Sequence, residues 1–219
     1  MGKCRCNLIK LSILTPVWNQ VELVIKGLDS IPRRDDIEVL VRDDGSTDGT
    51  LDALKKYKKE HPELNMRVFS NGENLGVAAT ANKLIASAKG EWFHFLMSDD
   101  YLITDKYNQM VDALYNTDAD IVCINLIENS GREYDLNEET GAFYCAQACR
   151  FIKREFVKGI KYPEKVKCGE DRLFHADMMA RNPKVEYTHC AVYRYNYPRE
   201  GSLVNLRLRG LIKDEDLTP

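Results

Sequence analysis

The strongest constraint on the fold is a regular alternation of short apolar runs with helical patterns. β-Branched and aromatic residues, which are typical of strands, are concentrated in five runs: 8–14, 37–44, 66–70, 91–97 and 120–126. Between these runs the apolar residues recur every three to four positions, which predicts helices over 21–31, 49–61, 77–88 and 105–116. This order predicts an α/β fold with a mostly parallel sheet flanked by helices.

The pattern loosens after the fifth predicted strand. Residues 128–144 are polar and rich in turn formers, which predicts a long loop or a hairpin. Helical spacing predicts helices over 146–159 and 170–181, and alternation predicts a strand over 185–197. The boundary between the two halves is expected near 101–104, immediately after the two aspartates, and the length of the chain suits a single domain with two intimate halves.

Charge and hydropathy exclude several classes of protein. The 219 residues carry a net charge of −3, so no general field attracts nucleic acid or anionic lipid, and phosphate binding requires local groups or a metal. No window approaches the ~18 apolar residues of a membrane span. Lys10 interrupts the first apolar run and no small-residue cleavage site follows it, which is unlike a signal peptide. We therefore expect a cytoplasmic protein.

The cysteines do not indicate a disulfide framework. There are seven of them, an odd number, and they are scattered along the chain. This usage is typical of reduced thiols. Cys4 and Cys6 are close enough to share a metal, but no second pair at ligand spacing completes a site, so unpaired thiols are the preferred interpretation.

Polar segments follow the predicted strands at their carboxyl ends. They are TPVWN (15–19), RDDGSTDGT (42–50), NGENLGV (71–77) and SDD (98–100). Ligands of open α/β sheets bind at this edge, and carboxylates there suit Mg²⁺ or Mn²⁺ held together with the phosphates of a substrate. Turns also favour Asp, Asn, Gly and Ser, which explains each segment singly but not the clustering of carboxylates after two strands. The sequence has neither the Gly-rich dinucleotide fingerprint after a strand nor a P-loop.

In order and spacing, these segments resemble the nucleotide-sugar-binding half of the family 2 glycosyltransferases, which have the GT-A fold. The stretches LSILTPVWNQ, IEVLVRDDGSTDGT and GEWFHFLMSDDYLI carry the resemblance, and DDGSTDGT is its most specific part. Downstream, CRFIKREFVKGIKYPEKVKCGEDRLF resembles the acceptor half of the family. The resemblance implies one domain over 1–203, with a nucleotide-sugar-binding half of about 1–101 and an acceptor half of 102–203.

The resemblance also implies an inverting, metal-dependent transfer of a hexose or N-acetylhexosamine from a UDP-sugar. Asp171 corresponds to the base that takes the proton of the acceptor hydroxyl. Asp99 corresponds to the ligand of Mn²⁺ or Mg²⁺, with Asp100 assisting it. Asp44 corresponds to the acceptor of the uracil N3–H, with Asp43 beside it. The other positions that the resemblance assigns to the nucleotide sugar are Thr15, Pro16, Asn19, Asn74 and Ser98.

Two positions depart from the usual pattern of the family. Met97 stands where the family usually has the first aspartate of a DxD motif, and Ala81 stands where it has an arginine near the nucleotide. The donor contact of the missing aspartate, often to the ribose, would then be either lost or supplied by Ser98. The missing positive charge would have to come from Arg42 or Lys83.

Other interpretations stay open at this point. The chain could be a sugar-phosphate nucleotidyltransferase, which uses a related sheet, or an inactive nucleotide- or glycan-binding module, which the two departures would suit. Glu170 and Asp171 also suit the first turn of a helix for purely structural reasons, because carboxylates there complement the helix dipole. His94 alternates within a predicted strand and is interpreted as a core residue.

The expected partners follow from the resemblance. They are a UDP-sugar donor and a glycan or lipid-linked saccharide acceptor, in bacterial surface polysaccharide synthesis, with no nucleic acid. Residues 204–219 mix leucines with arginine and lysine, which predicts either an amphipathic segment on a membrane or a segment docked on the domain. The expected location is the cytoplasm, with the inner face of the membrane as the alternative.

Overall fold

A computed structural model describes residues 8–138, 147–166, 169–197 and 199. The strands are β1 (Leu11–Val17), β2 (Ile37–Asp43), β3 (Met66–Ser70), β4 (Trp92–Phe95), β5 (Tyr101–Leu102), β6 (Ile121–Glu128), β7 (Glu133–Tyr134), β8 (Arg150–Lys153) and β9 (Val185–Tyr195). The helices are α1 (Val21–Asp29), α2 (Thr50–Glu60), α3 (Val77–Ser87), α4 (Thr104–Ala113) and α5 (Glu170–Met179), and a 3₁₀ turn covers Gln147–Cys149.

The first four strands form the parallel part of one sheet. Its order begins β3-β2-β1-β4, and each neighbouring pair in this part is parallel. β1 is buried along its whole length and β2 along most of it, as expected for parallel strands covered by helices on both faces. The α/β fold and the parallel sheet predicted for this half are confirmed.

The remainder of the sheet is mixed. Its order continues β4-β8-β6-β9-β5, with β7 on β6. β9 is parallel to β6, whereas β8 is antiparallel to both of its neighbours and β5 is antiparallel to β9. The parallel arrangement that the sequence predicts therefore gives way to a mixed one beyond β4.

The helix predicted over 146–159 is wrong. Residues of this stretch form the 3₁₀ turn and then β8, which pairs with β4 on one side and with β6 on the other. Phe151 and Ile152 are both fully buried. Successive residues of a strand face opposite sides of the sheet, so both can be buried at once in a strand that lies between two others.

Other boundaries shift by a few residues. β1 extends to Val17, so Thr15 and Pro16 lie within the strand and not in the loop after it. The predicted hairpin over 128–144 begins as β6 paired with β7, and its remainder from 139 lies outside the described residues. Cys4, Cys6 and the segment 204–219 also lie outside the described residues, so the predictions about them stay predictions.

His94 is a core residue, as the sequence predicts, and its ring connects three elements. Its ring is fully buried, with Nδ1 2.8 Å from the Tyr107 hydroxyl of α4 and Nε2 2.8 Å from the Ala148 carbonyl of the 3₁₀ turn. A carbonyl only accepts, so Nε2 carries the hydrogen and Nδ1 accepts from Tyr107. Burial lowers the pKa of His94 to about 4, so the ring is neutral at pH 7.

Candidate active site

Asp43 fixes the turn that follows β2. Its side chain is 1% exposed. The Ser46 amide donates to both carboxylate oxygens at 3.3 Å, and the Ser70 hydroxyl donates to one of them at 3.4 Å. Asp43 therefore shapes the start of the DDGSTDGT segment and ties it to the end of β3.

Asp44 connects this segment to the loop after β3. Its carboxylate accepts from the Asn71 side-chain amide at 2.8 Å and from the Leu75 and Gly76 amides at 2.9 Å each. Asn74, predicted to contact the nucleotide sugar, accepts from the same Gly76 amide at 3.0 Å and is exposed at the loop tip. The structure thus brings Asp44 and Asn74 together at the sheet edge.

The two loops approach each other closely at Gly45. Its φ is +74°, in the left-handed region that favours glycine. A Cβ built there would lie 2.7 Å from the Asn74 amide nitrogen. Only glycine therefore fits between the loop after β2 and the loop after β3.

The carboxyl end of β1 contributes Thr15, Pro16 and Asn19. Asn19 has a φ of 51°, accepts from the Thr47 amide at 2.8 Å, and donates its own amide to the Ser46 hydroxyl at 2.9 Å. Asn19 thus holds the DDGSTDGT loop from the other side. Thr15 is 1% exposed, and its hydroxyl has no hydrogen-bond partner among the described residues.

The proposed sources of positive charge lie at the same loops. Arg42 and Lys83 both donate to the Asn71 side-chain oxygen, at 3.2 Å each, and Asn71 in turn donates to Asp44. Ala81 lies on α3 two residues before Lys83 and is buried. The two cations are therefore near Asp44 and not at the position that the family arginine would have taken on α3.

The two aspartates after β4 have different environments. Asp100 is 3% exposed, and it accepts from the Tyr193 hydroxyl at 2.7 Å and from the Asn196 amide at 2.8 Å. Burial, and secondly the charge of Asp99, raise the pKa of Asp100 to about 7. The geometry does not favour the predicted assistance of Asp100 in metal binding, because both of its oxygens are already engaged in the interior.

Asp99 is the accessible member of the pair. Its side chain is 26% exposed, and one oxygen accepts from the Arg199 guanidinium at 2.8 Å. Ser98, which precedes it, is 8% exposed and donates to the Gln20 side chain at 3.0 Å. Among the described residues no group of three or more His, Cys, Asp or Glu side chains has the arrangement of a complete metal site.

A pocket of about 150 Å³ joins the two halves of the chain. Pro16 of β1 and Met97 after β4 line it from the nucleotide side, together with Ala81 of α3. Glu170 and Asp171 line it from α5. Residues far apart in sequence therefore meet in one cleft at the carboxyl edge of the sheet, and the two departures from the family pattern both lie in it.

Asp171 lies in the first turn of α5, after Gly169 with a φ of +82°. The side chain is partly exposed, and its Oδ1 accepts from the Arg172 amide at 2.7 Å. Burial, and to a lesser degree the charge of Asp171, raise the pKa of the neighbouring Glu170. The structural interpretation of this acidic turn is thus compatible with a chemical one, because the same carboxylates begin a helix and face a pocket.

Several residues of the site were not found from the sequence. Tyr193 and Arg199 lie in the stretch YRYNYPREGSL, which resembles only a weak tail pattern of the family, and Gln147 lies in a region without a motif. They reach the site through long-range pairing or through the turn before β8. Tyr162 lines the pocket and stacks on Phe174 with ring centroids 4.1 Å apart. The signals in the sequence were this tail pattern and the alternation over 185–197, which indicate a strand but not its partner.

The sequence model of glycosyl transferase family 2 matches residues 12–194. The chain belongs to this family. The match spans the strands of both halves, the carboxylates after β2 and β4, and the acidic turn of α5. The resemblance seen in the sequence is thereby confirmed, and the chain is a glycosyltransferase by family.

Curated relatives in the family have longer chains. The poly(ribitol-phosphate) β-glucosyltransferase of Bacillus spizizenii is 28% identical over 213 residues, which is 88% of this chain and 33% of the relative. The poly(ribitol-phosphate) β-N-acetylglucosaminyltransferase TarS of Staphylococcus aureus is 25% identical over 212 residues, 89% of this chain and 36% of TarS. The chain thus spans about a third of the length of these two relatives.

Solved structures share the GT-A fold. A fragment of S. aureus TarS in complex with UDP-GlcNAc matches 90% of this chain and 60% of its own with a TM-score of 0.76 and 24% identity. The mannosyltransferase PcManGT of Pyrobaculum calidifontis, in complex with GDP-Man and Mn²⁺, matches with a TM-score of 0.70 and 20% identity, covering 88% of this chain and 58% of its own. In the described part of the chain, no helix has the length and apolar character that crossing a membrane requires.

Proposed function

We propose that this glycosyltransferase is an inverting enzyme that uses a UDP-sugar and transfers the sugar to a hydroxyl of a glycan or lipid-linked acceptor in bacterial surface polysaccharide synthesis. The observation that carries the proposal is the single pocket in which Asp171 meets the carboxyl ends of β1 and β4. We further propose that residues 1–203 form the transferase domain. A membrane contact of 204–219 stays a prediction.

Asp171 acts as the base in this proposal. As the acceptor oxygen bonds to the anomeric carbon, the bond from that carbon to the diphosphate oxygen breaks, and the acceptor proton passes to the Asp171 carboxylate. One displacement inverts the anomeric centre and needs no covalent intermediate with the protein. The position of Asp171, partly exposed at the pocket wall, supports this role because an acceptor can approach it from solvent.

Asp44 and the loops that it joins hold the nucleotide in this proposal. A carboxylate offers about four lone-pair sites, and three donors already use the Asp44 oxygens, so one site remains for a base N–H. The fixed loops mean that little ordering is needed when the nucleotide binds. TarS, a relative 25% identical over 89% of this chain, is known in complex with UDP-GlcNAc, and this supports a uridine nucleotide.

The residues present fit a divalent cation at Asp99. The Asp99 side chain is partly exposed, and one of its oxygens already pairs with a cation, the Arg199 guanidinium. Mg²⁺ and Mn²⁺ commonly take one or two protein carboxylates and complete their shell with substrate phosphates and water. Asp99 would hold the ion, and a bound ion would supply charge stabilisation to the departing diphosphate. Asp100 would support the strand end from the interior.

The test uses Asp171→Asn in the full chain. The substrates are UDP-glucose and UDP-N-acetylglucosamine, with poly(ribitol phosphate) as the first acceptor because two curated relatives act on it. We expect UDP release to fall by about 10²–10⁴-fold, the range for loss of a general base, while calorimetry shows that UDP still binds. Asp177→Asn, an exposed carboxylate on the same helix, is the matched control and should leave the rate unchanged.

Three results would contradict parts of this proposal. Full transfer by Asp171→Asn would refute the assigned base. UDP binding with no transfer by the unaltered chain to any acceptor would favour an inactive binding module. Turnover of a nucleoside triphosphate with a sugar phosphate would favour a nucleotidyltransferase.

A further inference from the structure

The pocket beside Asp171 has two chemically different walls. The wall built by the nucleotide half is apolar and consists of Pro16, Val77, Ala81, Phe95 and Met97. The lining from the acceptor half carries the polar side chains Gln147, Glu170 and Asp171, beside Ala148 and Tyr162. A bound sugar ring in this pocket would therefore have one edge against carbon and sulfur atoms and the other against carboxylates.

The pocket is small enough to hold only part of a ligand. Its volume is about 150 Å³, below the range of about 300–1,000 Å³ for pockets that hold a whole drug-sized molecule. It lies between the strand ends that precede the proposed nucleotide loops and the proposed base. The part of a nucleotide sugar that belongs there is the sugar ring, so this inference rests on the proposed function.

Met97 is held in place by its own backbone. Its amide donates to the Tyr193 hydroxyl at 3.0 Å, and its carbonyl accepts from the Asp100 amide at 3.1 Å. The Tyr193 hydroxyl in turn donates to Asp100, and Tyr193 is fully buried. Met97 is partly buried and packs against the core. The backbone of Met97 is therefore fixed, and its side chain, packed against the core, lines the pocket.

This wall discriminates between substituents of a sugar. A hydroxyl placed against Met97, Phe95 and Ala81 loses its hydrogen bonds to water and gains none, whereas a methyl group gains burial. An apolar pocket typically separates ligands that differ by one methylene by about 10–200-fold. An aspartate at position 97 would offer a hydroxyl an acceptor, and Met97 removes that option.

We propose that Met97 is the specificity-determining residue of the donor site, and that it selects a sugar with a methyl-bearing substituent. The methyl group lies on Met97 and the remaining hydroxyls face Glu170 and Asp171. An N-acetyl group and a 6-deoxy position both supply such a methyl.

The experiment measures binding of four ligands to the full chain in the presence of Mn²⁺: UDP, UDP-glucose, UDP-N-acetylglucosamine and UDP-6-deoxyglucose. Each Kd is divided by that of UDP, so that only the contribution of the sugar is compared. We expect one methyl-bearing donor to bind at least about tenfold tighter than UDP-glucose. The donor that does so identifies the source of the methyl group.

Variants assign the preference to the side chain. Met97→Leu should keep the tighter binding of the methyl-bearing donor. Met97→Gln, similar in size but polar, should bring the affinities for that donor and for UDP-glucose to within about twofold of each other. Met179→Gln changes a partly exposed methionine of α5 outside this pocket and is the matched control, so it should keep the full preference.

A second measurement does not depend on a variant that folds. In the unaltered chain labelled with ¹³C at the methionine methyl groups, we expect a nuclear Overhauser effect between the Met97 methyl and the sugar methyl.

A chain that does not bind UDP would overturn the proposed function. A chain that binds UDP but shows no preference for either methyl-bearing donor would overturn only the present inference, and so would a preference that Met97→Gln retains.

Discussion

The two halves of the molecule build the site in different ways. In the nucleotide half, loops at adjacent strand ends hold one another, and Asp43 and Asp44 bind groups at most 32 residues away in the sequence. In the acceptor half, the contributing residues come from a mixed sheet and reach the site over long sequence separations, as Tyr193 does to Asp100 across 93 residues.

This difference predicts which substitutions affect one half and which affect both. Changes at the nucleotide loops should have local effects, since their hydrogen bonds are made among neighbours at one sheet edge. Changes at the β4–β8 junction should affect both halves, because β8 pairs with β4 on one side and β6 on the other. The predictions below test that contrast, beginning with the largest expected effect.

Phe151→Ala should destabilise the whole chain. Phe151 is fully buried on β8, with its ring centroid 4.5 Å from that of His94 on β4 and 5.4 Å from that of Tyr107 on α4. Removal of a buried aromatic ring costs about 3–5 kcal/mol. Denaturant unfolding followed by near-UV circular dichroism and by fluorescence should show one transition at a lower midpoint.

The matched variant for this comparison is Leu40→Ala on β2, also fully buried, for which we expect a loss of about 2–5 kcal/mol in the free energy of unfolding. If Phe151→Ala instead splits unfolding into two transitions, the halves are independent and the contrast as drawn here is wrong.

Acid should destabilise the junction through His94. The pKa of His94 is lowered from 6.5 to about 4 in the folded chain. As the pH falls below 6.5, the unfolded chain therefore binds a proton at this ring before the folded chain does. The contribution of the neutral His94 ring to the free energy of unfolding is complete above about pH 6.5. It is lost as the pH falls towards 4, by up to about 3 kcal/mol. The pKa of His175 is also lowered to about 4, by burial first and by Arg150 second, and it adds to the same slope.

Urea unfolding at several pH values checks this prediction. His94→Gln should have a shallower slope between pH 6.5 and 4 than the unaltered chain. The surface variant His61→Gln is the control and should keep the original slope, because its ring lies beside Glu63 at the surface. An unchanged slope in His94→Gln would show that the junction does not contribute to acid sensitivity.

Gly45→Ala should strain the nucleotide loops without affecting the acceptor half. A Cβ at Gly45 would contact the backbone of the loop after β3, and the positive φ is unfavourable for alanine. We therefore expect the free energy of unfolding to fall by about 1–3 kcal/mol. UDP binding should weaken with it. Gly72→Ala has a similar φ of +81° but open space around the new Cβ, and should cost only about 1 kcal/mol. Equal losses of stability in the two variants would show that contact between a Cβ at Gly45 and the loop after β3 adds no cost.

Arg199→Gln should have the smallest effect on stability. Its ion pair with Asp99 is about a quarter exposed on each side, and such pairs contribute about 0–1 kcal/mol. Mn²⁺ should bind several-fold tighter in the absence of nucleotide, because the guanidinium no longer competes for Asp99; titration followed by electron paramagnetic resonance measures this. Arg172→Gln, exposed on α5, is the control. Unchanged Mn²⁺ affinity in Arg199→Gln would mean that the ion pair and the ion do not share Asp99.

The sequence predicted the nucleotide half well, because its signals are local. The strands and helices from β1 to β4 follow from apolar periodicity, and the DDGSTDGT segment indicates where Asp43 and Asp44 lie. His94 was correctly interpreted as a core residue for the same reason.

Other features depend on partners distant in sequence. Asp99 and Asp100 are adjacent and chemically identical, and it is Asp100 that meets Tyr193 and Asn196 in the interior. The stretch that forms β8 has apolar spacing compatible with a helix, and pairing with β4 and β6 decides otherwise. Local periodicity contains no information about such partners, and tertiary pairing overrides it.

The insertion of β8 between β4 and β6 has a consequence for synthesis of the chain. On a ribosome, β1 to β4 emerge well before β8, so one edge of β4 stays unpaired while some fifty further residues, from Phe95 to Arg150, are translated. An open apolar edge strand is a template for pairing with other chains. The nascent chain should therefore depend on chaperones during that interval, and expression at lower temperature should increase the yield of soluble protein.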